Sequence, residues 1–241
     1  MKIQEAWYRL WDVGFLASRL SDLWFTLKTT RSNEPFDRLY QMVLPYTICG
    51  HRRLRGLYEA VEAVVSREIP GDIVECGVAR GGSAALMGLA LKQLGARRAL
   101  WAFDTFEGLP PPTPADPDWK IARIYTGTYR GAFEDVASLF GRLGFLTEAR
   151  LVKGLFQETL PTCALRAIAV LHIDGDWYES VKACLTHLYD RVSPGGIIQI
   201  DDYGHWKGAR KAVDEFMHQR LPNTHLRRLD YSGRQLVKPR S

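Results

Sequence analysis

The sequence predicts a single Rossmann-like α/β domain, a mostly parallel sheet of seven strands with helices on both faces, preceded by an N-terminal helical extension. The length of 241 residues suits one large domain with its own core. After Gly71, short apolar segments alternate with amphipathic ones, which is the pattern of parallel strands joined by helical crossovers. Acidic residues stand at the ends of the apolar segments, where such sheets bind ligands.

The elements of this domain can be assigned in order along the chain. A helix is predicted over 54–67, and Pro70 stops it. The predicted strands are 72–77, 99–104, 150–153, 167–174, 196–202, 225–229 and 235–237. The predicted helices between them are 82–94, 133–143, 177–188 and 207–221. The segment 108–118 contains five prolines and is predicted to be a long loop.

The first 45 residues form a predicted helical arm before a domain that spans 46–241. Apolar side chains recur at helical spacing in this arm, at Trp7, Trp11 and Leu16 and again between Leu20 and Leu27. We favour an arm that packs on the core or across a dimer interface, and the alternative is peripheral association with a membrane or a partner. Charged residues interrupt the arm, so no uncharged run approaches the ~18–20 residues of a membrane span.

The composition fits a cytoplasmic protein without a nucleic-acid partner. The net charge is +5, but the basic residues are spread along the chain, whereas nucleic-acid binding needs a dense stripe. Two small basic clusters, 51–55 and Arg227–Arg228, are interpreted as solvated faces or as contacts to an anionic ligand. Four widely separated cysteines suit a reducing compartment, and no signal peptide is recognised.

The turn after the first strand predicts a nucleoside site that does not take a pyrophosphate. Gly77 and Gly81 allow a sharp turn and a close approach to a ligand. Ala79 stands where a dinucleotide-binding turn carries its second glycine. Glu75 would repel a pyrophosphate but suits a cationic amino group, such as that of S-adenosylmethionine. Asp104, at the end of the second strand, is placed to accept hydrogen bonds from both ribose hydroxyls.

Three carboxylates end two strands that should be neighbours. Asp174 ends one strand, Asp201 and Asp202 end the next, and one crossover joins the two. Converging carboxylates repel one another unless a cation neutralises them, and oxygen ligands favour magnesium, manganese or calcium over zinc. Such an ion would lower the pKa of an acceptor hydroxyl and orient it, with Asp174 as the base that takes the proton.

Three polar residues near these strand ends are interpreted less uniquely. Asp176 is as compatible with a cap on the helix that starts at Trp177 as with a role beside Asp174. His172 lies inside an apolar strand and is interpreted as a hydrogen-bonded core histidine rather than a ligand. His205 contacts the acceptor, serves as an auxiliary base, or is an exposed loop residue.

Several motifs resemble the macrocin O-methyltransferase family of antibiotic-sugar methyltransferases. They include PGDIVECGVARGGS at 70–83, DTFEGLP at 104–110, KGLFQETLP at 153–161, HIDGDWYES at 172–180 and DDYG at 201–204. The resemblance extends over about 46–216 and implies a class I methyltransferase fold. It also implies methyl transfer from S-adenosylmethionine to a hydroxyl, with Mg²⁺ (or Mn²⁺) as the metal. In the best-known members of the family the acceptor is a sugar hydroxyl.

The resemblance assigns roles to individual positions. The cofactor would be lined by Glu75, Gly77, Arg80, Gly81, Ser83, Asp104, Thr105 and Asp174. The metal would be held by Asp174, Asp201 and Asp202, with Asp174 also the catalytic base. The substrate contacts would be Tyr46, Thr47 and, from its position, His205. The segment 105–130 would form a lid, and the chain would assemble as a homodimer.

Two other function classes compete with this prediction. Asp174-Gly-Asp176 is formally the DxD motif of a metal-dependent glycosyltransferase, which leaves Glu75, Gly81 and Asp104 unexplained. A binding protein without turnover need not retain three costly carboxylates. Among methyltransferases, a catechol-type enzyme is the alternative. The acceptor, a small molecule or a saccharide of natural-product or polysaccharide biosynthesis, is left open by the sequence.

Overall fold

The described part of the arm and the start of the domain are helical. The structure is a computed structural model that describes residues 13–30 and 32–240, so Trp7 and Trp11 of the predicted arm lie outside the described residues. The first helices are α1 (Val13–Thr29) and α2 (Pro35–Val43), and a 3-10 turn follows at Leu44–Tyr46. Proline is the first residue of α2, where its fixed φ and missing N–H cost nothing.

One sheet runs through the domain. Its strands are β1 (Asp72–Cys76), β2 (Leu100–Asp104), β3 (Ala149–Lys153), β4 (Ile168–Ile173), β5 (Val192–Ile200), β6 (Arg227–Arg228) and β7 (Arg234–Val237). Their order across the sheet is β3-β2-β1-β4-β5-β7-β6. β1 to β5 are parallel, whereas β7 is antiparallel to β5 and β6. The order reverses between β1 and β4, which is where sheets of this kind bind ligands. The predicted fold class is confirmed.

Helices cover both faces of the sheet. In chain order they are α3 (His51–Ser66), α4 (Gly82–Gln93), α5 (Trp119–Ala122), α6 (Phe133–Leu143), α7 (Phe156–Thr159), α8 (Tyr178–Leu188) and α9 (Lys207–Arg220). α2, α3, α4 and α6 share one buried apolar layer, and α7, α8 and α9 share the other. Strand side chains alternate between the layers, so that Ile73 joins the first while Val74 and Cys76 join the second.

Three element boundaries differ from the prediction in ways that affect the site. α3 begins at His51, three residues before the predicted start, and Asp22 Oδ1 on α1 accepts its first N–H at 3.0 Å. β5 ends at Ile200, so Asp201 and Asp202 follow the strand instead of ending it. The strand predicted at 225–229 is reduced to the two residues of β6. Among the described helices, none combines the length and the apolar character that a bilayer crossing needs.

Candidate active site

A cavity of about 560 Å³ opens along the carboxyl ends of β1, β2, β4 and β5. Its size falls within the ~300–1,000 Å³ of typical small-molecule sites. Seven residues proposed from the sequence line it, namely Gly77, Asp104, Thr105, Asp174, Asp201, Asp202 and His205. Six others do not line it, namely Tyr46, Thr47, Glu75, Arg80, Gly81 and Ser83. The cavity thus brings the end of the nucleotide-side motif together with the acidic residues.

The turn between β1 and α4 lies against the end of β4. Gly77 and Gly81 have φ values of 97° and 90°, in the region that favours glycine. A Cβ at position 77 would collide with the carbonyl oxygen of Asp174, so no other residue allows this approach. Gly81 precedes α4, Arg80 is exposed, and Ser83 is buried within the first turn of α4.

Tyr46 and Thr47 support this turn from the side away from the cavity. A Cβ at Gly82 would lie 2.6 Å from the carbonyl oxygen of Tyr46 and 2.5 Å from Thr47 Cβ. Thr47 Oγ1 also accepts a hydrogen bond from Cys49 N at 3.0 Å. In this structure both residues therefore position the start of α4 instead of facing the acceptor space.

Asp104 lines the cavity, but its carboxylate already accepts four hydrogen bonds from the protein. Its Oδ2 accepts hydrogen bonds from the amides of Val78 (2.7 Å) and Ala79 (2.9 Å). Its Oδ1 accepts from the amide of Phe106 (2.7 Å) and from Thr105 Oγ1 (3.3 Å). A carboxylate offers about four acceptor positions. Ribose hydroxyls would therefore have to share or replace donors that now hold the turn after β1.

Glu75 lies behind the cavity wall. It is the register partner of His172 on the neighbouring strand, so both side chains point to the same face. Both are fully buried, and Glu75 Oε1 lies 2.7 Å from His172 Nδ1. Within the described residues, Glu75 Oε2 has no hydrogen-bond partner. Glu75 thus contacts the site through His172 and not through the cavity surface where the sequence placed it.

His172 is a core histidine, as interpreted from the sequence, and it joins two carboxylates. Its Nε2 lies 3.4 Å from Asp201 Oδ1, opposite the bond to Glu75. Burial acts to lower the pKa of His172, but the hydrogen bonds and charges of Asp201 and Glu75 outweigh it and raise the pKa to about 9. The side chain is therefore a buried imidazolium at neutral pH.

Arg53 provides a second cation for Asp201. The guanidinium forms an ion pair with Asp201 Oδ2 and another with Asp230 Oδ2, the latter at 3.0 Å. Burial opposes ionisation of Asp201, yet the charges of Arg53 and His172 lower its pKa to about 2. Arg53 is 148 positions from Asp201, and its only signal in the sequence is the basic cluster at 51–55.

A second carboxylate group lacks such compensation. Asp174, Asp176 and Asp202 offer ligand atoms within 4.8 Å of one another, and none of the described basic side chains forms an ion pair with them. Burial and the neighbouring carboxylates, chiefly Asp201, raise the pKa of Asp174 well above its usual value. Burial and Asp201 likewise raise the pKa of Asp202 to about 6. Binding of a cation would therefore relieve more electrostatic repulsion in this group than at Asp201, which already has basic partners.

Asp176 belongs to this group and not to a helix cap. Its Oδ1 accepts a hydrogen bond from Trp206 Nε1 at 2.8 Å, and its own amide donates to Asp202 Oδ2 at 3.1 Å. Its φ of 55° is unusual for a residue with a side chain, and such strain is common at functional sites. The first amide of α8, that of Tyr178, is instead bound by Asp116 Oδ1 at 2.7 Å.

Asp174 also belongs to a group with His172 and Asp201, whose ligand atoms again lie within 4.8 Å of one another. Asp174 is thus the one described residue common to both candidate metal groups. Because the imidazolium and Arg53 already balance Asp201, the oxygen-only group at Asp174, Asp176 and Asp202 better matches the ligands of a hard cation.

The far end of the cavity includes a residue from the arm. Asp22 on α1 lines the wall together with Ile48 and Cys49, and Tyr231 and Ser232 also line the cavity. The arm is held there by the bond from His51 N to Asp22 and by Phe25, whose ring stacks on His51 at 4.3 Å. The aromatic arm, which was expected to pack on the core or across a dimer interface, therefore also contributes a residue to the site.

The predicted lid forms one wall of the cavity. Leu109, Pro110 and Tyr125 line it from this segment, and Trp177 Nε1 donates a hydrogen bond to Pro110 O at 2.7 Å. Asp116 is fully buried and accepts from the amide of Thr113 as well as from α8. The proline-rich loop is therefore anchored in the structure at its middle.

Residues 29–237 match the family model described as Macrocin-O-methyltransferase (TylF). The chain is 38% identical over 176 residues to demethyldecarbamoylnovobiocin O-methyltransferase of Streptomyces niveus, covering 71% of this chain and 67% of the relative. It is 32% identical over 230 residues to mycinamicin III 3''-O-methyltransferase of Micromonospora griseorubida, covering 92% and 88%. The solved structure of the O-methyltransferase NovP superposes with a TM-score of 0.76 at 34% identity, over 81% of this chain and 83% of that chain.

Proposed function

The chain belongs to the macrocin O-methyltransferase family, and on this premise we propose that it methylates a sugar hydroxyl of a natural-product glycoside with the help of a divalent cation. As a member of this family it is an S-adenosylmethionine-dependent O-methyltransferase that transfers methyl to a hydroxyl. The observation that carries the proposal is the single cavity in which the glycine turn and Asp104 adjoin the carboxylates of Asp174, Asp176 and Asp202. The relatives named for novobiocin and mycinamicin support a glycoside acceptor.

The nucleotide-side residues fit the methyl donor. Gly77 keeps the turn after β1 open toward the cavity, and Asp104 and Thr105 stand at the end of β2 beside it. Arg53, the one described guanidinium that lines the cavity, is committed to Asp201 and Asp230. The site therefore suits a donor without phosphates, in agreement with the absence of a pyrophosphate turn. The cofactor contacts predicted for Glu75, Arg80, Gly81 and Ser83, which do not line the cavity, stay predictions.

The acidic residues fit a hard divalent cation. Asp174, Asp176 and Asp202 supply only oxygen ligands and their charges are not balanced by a basic side chain among the described residues. We propose that Asp174 and Asp202 are ligands of Mg²⁺ or Mn²⁺. Asp201, the third ligand predicted from the sequence, lies in the second group that contains Asp174. When bound, such an ion lowers the pKa of the acceptor hydroxyl.

The protein's own carboxylates take the proton of the acceptor hydroxyl. We propose Asp174 as this base, because it lines the cavity and belongs to both acidic groups. Asp176 is the second candidate because Trp206 Nε1 orients it within the same group. Transfer of the methyl group then needs the donor and the hydroxyl held in line, which the cavity walls impose.

Turnover in defined metal conditions tests the activity. With S-adenosylmethionine and glycosides that carry free sugar hydroxyls, we expect S-adenosylhomocysteine to form with Mg²⁺ present and to cease in EDTA. Catechol serves as the comparison acceptor. Methylation of catechol but of no glycoside would refute the proposed acceptor class, and undiminished turnover in EDTA would refute the metal.

Binding of Mn²⁺, followed by electron paramagnetic resonance, separates ligand from base. Asp174→Asn, Asp176→Asn and Asp202→Asn are compared with Asp116→Asn, which lies in the lid anchor outside both acidic groups. A residue whose Asn variant loses Mn²⁺ binding is a ligand, as expected for Asp174 and Asp202. A variant that binds Mn²⁺ normally but loses turnover would instead identify a base that is not a ligand, and such a result for Asp176→Asn would assign the base to Asp176. Unchanged Mn²⁺ binding in all the cavity variants would exclude the proposed metal group.

The homodimer and the cytoplasmic location stay predictions. α1 exposes an apolar face formed by Leu20, Leu23, Trp24 and Leu27, each more than half exposed. We propose that a second copy of the chain covers this face, as expected for an arm that crosses a dimer interface.

A further inference from the structure

A second pocket, of about 230 Å³, lies beside the mouth of the main cavity. It is lined by Tyr203, Gly204, His205, Trp206, Lys207, Arg210 and Tyr231. Three of these, His205, Trp206 and Tyr231, also line the main cavity. A molecule bound in the main cavity could therefore extend a substituent into the second pocket. The site described above gives this pocket no role.

Two basic side chains, Lys207 and Arg210, line this pocket, and a third, Arg234, packs on the ring of Tyr203 in its wall. The guanidinium carbons of Arg210 and Arg234 lie 5.1 and 5.0 Å from the centre of the Tyr203 ring. Lys207 is exposed at the start of α9 and lines the pocket directly. Arg228 on β6 lies near enough to Arg234 for its charge, after the effect of burial, to lower the pKa of Arg234.

These four cations are not balanced by carboxylates. Within the described part of the chain, Arg53, Arg55 and Arg220 form ion pairs with acidic residues, whereas Lys207, Arg210, Arg228 and Arg234 form none. Arg210 Nε donates to Tyr203 O at 3.2 Å and Arg228 Nε to Asp230 O at 2.8 Å. Arg234 Nη1 donates to three backbone carbonyls, the nearest that of Gly233 at 2.8 Å.

The acidic side chains of this region are committed elsewhere. Asp214, on α9, accepts a hydrogen bond from the Tyr203 hydroxyl at 2.7 Å. Asp230 accepts from Arg53 and from the amides of Ser232 and Gly233. Backbone carbonyls orient the guanidinium groups without neutralising them, so the pocket keeps a net positive charge. An anion with several oxygen atoms matches oriented guanidinium and ammonium donors best.

We propose that the second pocket binds a phosphate-bearing part of the acceptor, held by Lys207 and Arg210 with the charge of Arg234 beside them at the Tyr203 ring, while the sugar to be methylated occupies the main cavity. This inference rests on the proposed methyl transfer to a sugar hydroxyl and changes the acceptor from a neutral glycoside to a sugar derivative that carries phosphate, so the methyl transfer stands even if the pocket binds no phosphate. Both a nucleotide-linked sugar and a simple sugar phosphate carry the required group. Arg228, from the cluster that the sequence left as a solvated face or an anionic-ligand contact, is the register partner of Arg234 on the neighbouring strand.

Titration calorimetry with pyrophosphate as the probe tests the pocket. EDTA is present so that no cation held by the aspartates can recruit the probe. We expect binding to the wild-type protein and a loss of about tenfold in affinity, the effect of one charge-assisted hydrogen bond, in Arg210→Gln and in Arg234→Gln. Arg220→Gln is the matched control, because Arg220 ends the same helix and pairs with Asp190 at 2.6 Å. Equal affinity in all these proteins, or no binding to the wild type, would overturn the proposal.

Lys207→Gln keeps the test valid if an arginine variant misfolds. Lys207 is exposed, so the substitution leaves the core intact, and the same fall in pyrophosphate affinity is expected.

Uridine diphosphate glucose, glucose 1-phosphate and methyl glucoside are then compared as ligands. Tighter binding of the nucleotide sugar than of the sugar phosphate identifies a nucleotide carrier, equal binding identifies a simple phosphate, and equal binding of the neutral glycoside contradicts the proposal. Calorimetry with S-adenosylmethionine is run in parallel, so that failure of the methyltransferase assignment is seen separately.

Discussion

Asp201 and Asp202 are neighbours in sequence whose carboxylates lie in opposite electrostatic environments. Asp201 is held between Arg53 and His172, and its pKa falls to about 2 despite burial. Asp202 lies with Asp174 and Asp176, and burial together with Asp201 raises its pKa to about 6. A buried charge without a partner costs free energy, so binding of a cation by Asp174, Asp176 and Asp202 would stabilise this second group.

The pH dependence of stability reports the charge on His172. The folded-state pKa of about 9 is above the ordinary 6.5, so the folded protein binds this proton more tightly than the unfolded chain. The stabilisation is complete below pH 6.5 and is lost as the pH rises through about 9. We expect His172→Gln to flatten the fall of the free energy of unfolding over this window, measured by urea titration in metal-free buffer. An unchanged slope would show that His172 is neutral in the folded protein.

At the scale of elements, α1 is joined to the domain through the start of α3. Gly50 precedes α3 and its small size lets Asp22 approach, since a Cβ there would lie 2.9 Å from Asp22 Oδ2. Asp22 then accepts the His51 amide and acts as the cap that Gly50 cannot supply. The ring of His51 in turn packs against Phe25, Phe36 and Tyr40. The same Asp22 side chain therefore fixes the start of α3 and contributes to the docking of the arm.

Substitution of Asp22 measures this contact. Asp22→Ala should lower the free energy of unfolding by about 1 kcal/mol, the usual effect of a lost helix cap. Asp22→Asn keeps an acceptor oxygen at the same place and should retain most of the stability. The comparison is made by urea unfolding, and equal losses in the two variants would assign the effect to charge instead of capping.

At the scale of the whole molecule, the residues of the site lie together at the carboxyl edge of the sheet. The order β3-β2-β1-β4-β5 makes the connections after β1 and β4 leave in opposite directions, which opens the cavity between them. α1 and the segment 105–130 then enclose this cavity from outside the parallel core. Because the family match begins at residue 29, α1 lies almost entirely outside the matched residues.

The oligomeric state tests the proposal that a second copy of the chain packs on the apolar face of α1. We expect light scattering after size-exclusion chromatography to show a dimer for the wild-type protein and a monomer for Leu23→Glu, since Leu23 is 58% exposed on the apolar face. Leu146→Glu is the matched control, because Leu146 is 42% exposed at the distant junction of α6 and β3. A monomeric wild type, or a dimer that survives Leu23→Glu, would contradict the prediction.

The sequence by itself determined the order of strands and helices and the positions of Gly77, Asp104, Asp174, Asp201 and Asp202 at the carboxyl edge of the sheet. These follow from local patterns, since apolar periodicity sets each element and a parallel sheet places all its strand ends together. The boundaries of α3 and β5 were less certain because contacts from other elements fix them.

Only the tertiary structure decided how each charged group is used. Asp176 joins the acidic group while Asp116, from the lid, caps α8, although the sequence allowed Asp176 that role. Glu75 turns to His172, and Arg53 reaches Asp201 across 148 positions. Charges are compensated through space. The spacing of residues in the sequence therefore cannot reveal whether a carboxylate pairs with a basic side chain or lacks a basic partner and could bind a metal ion.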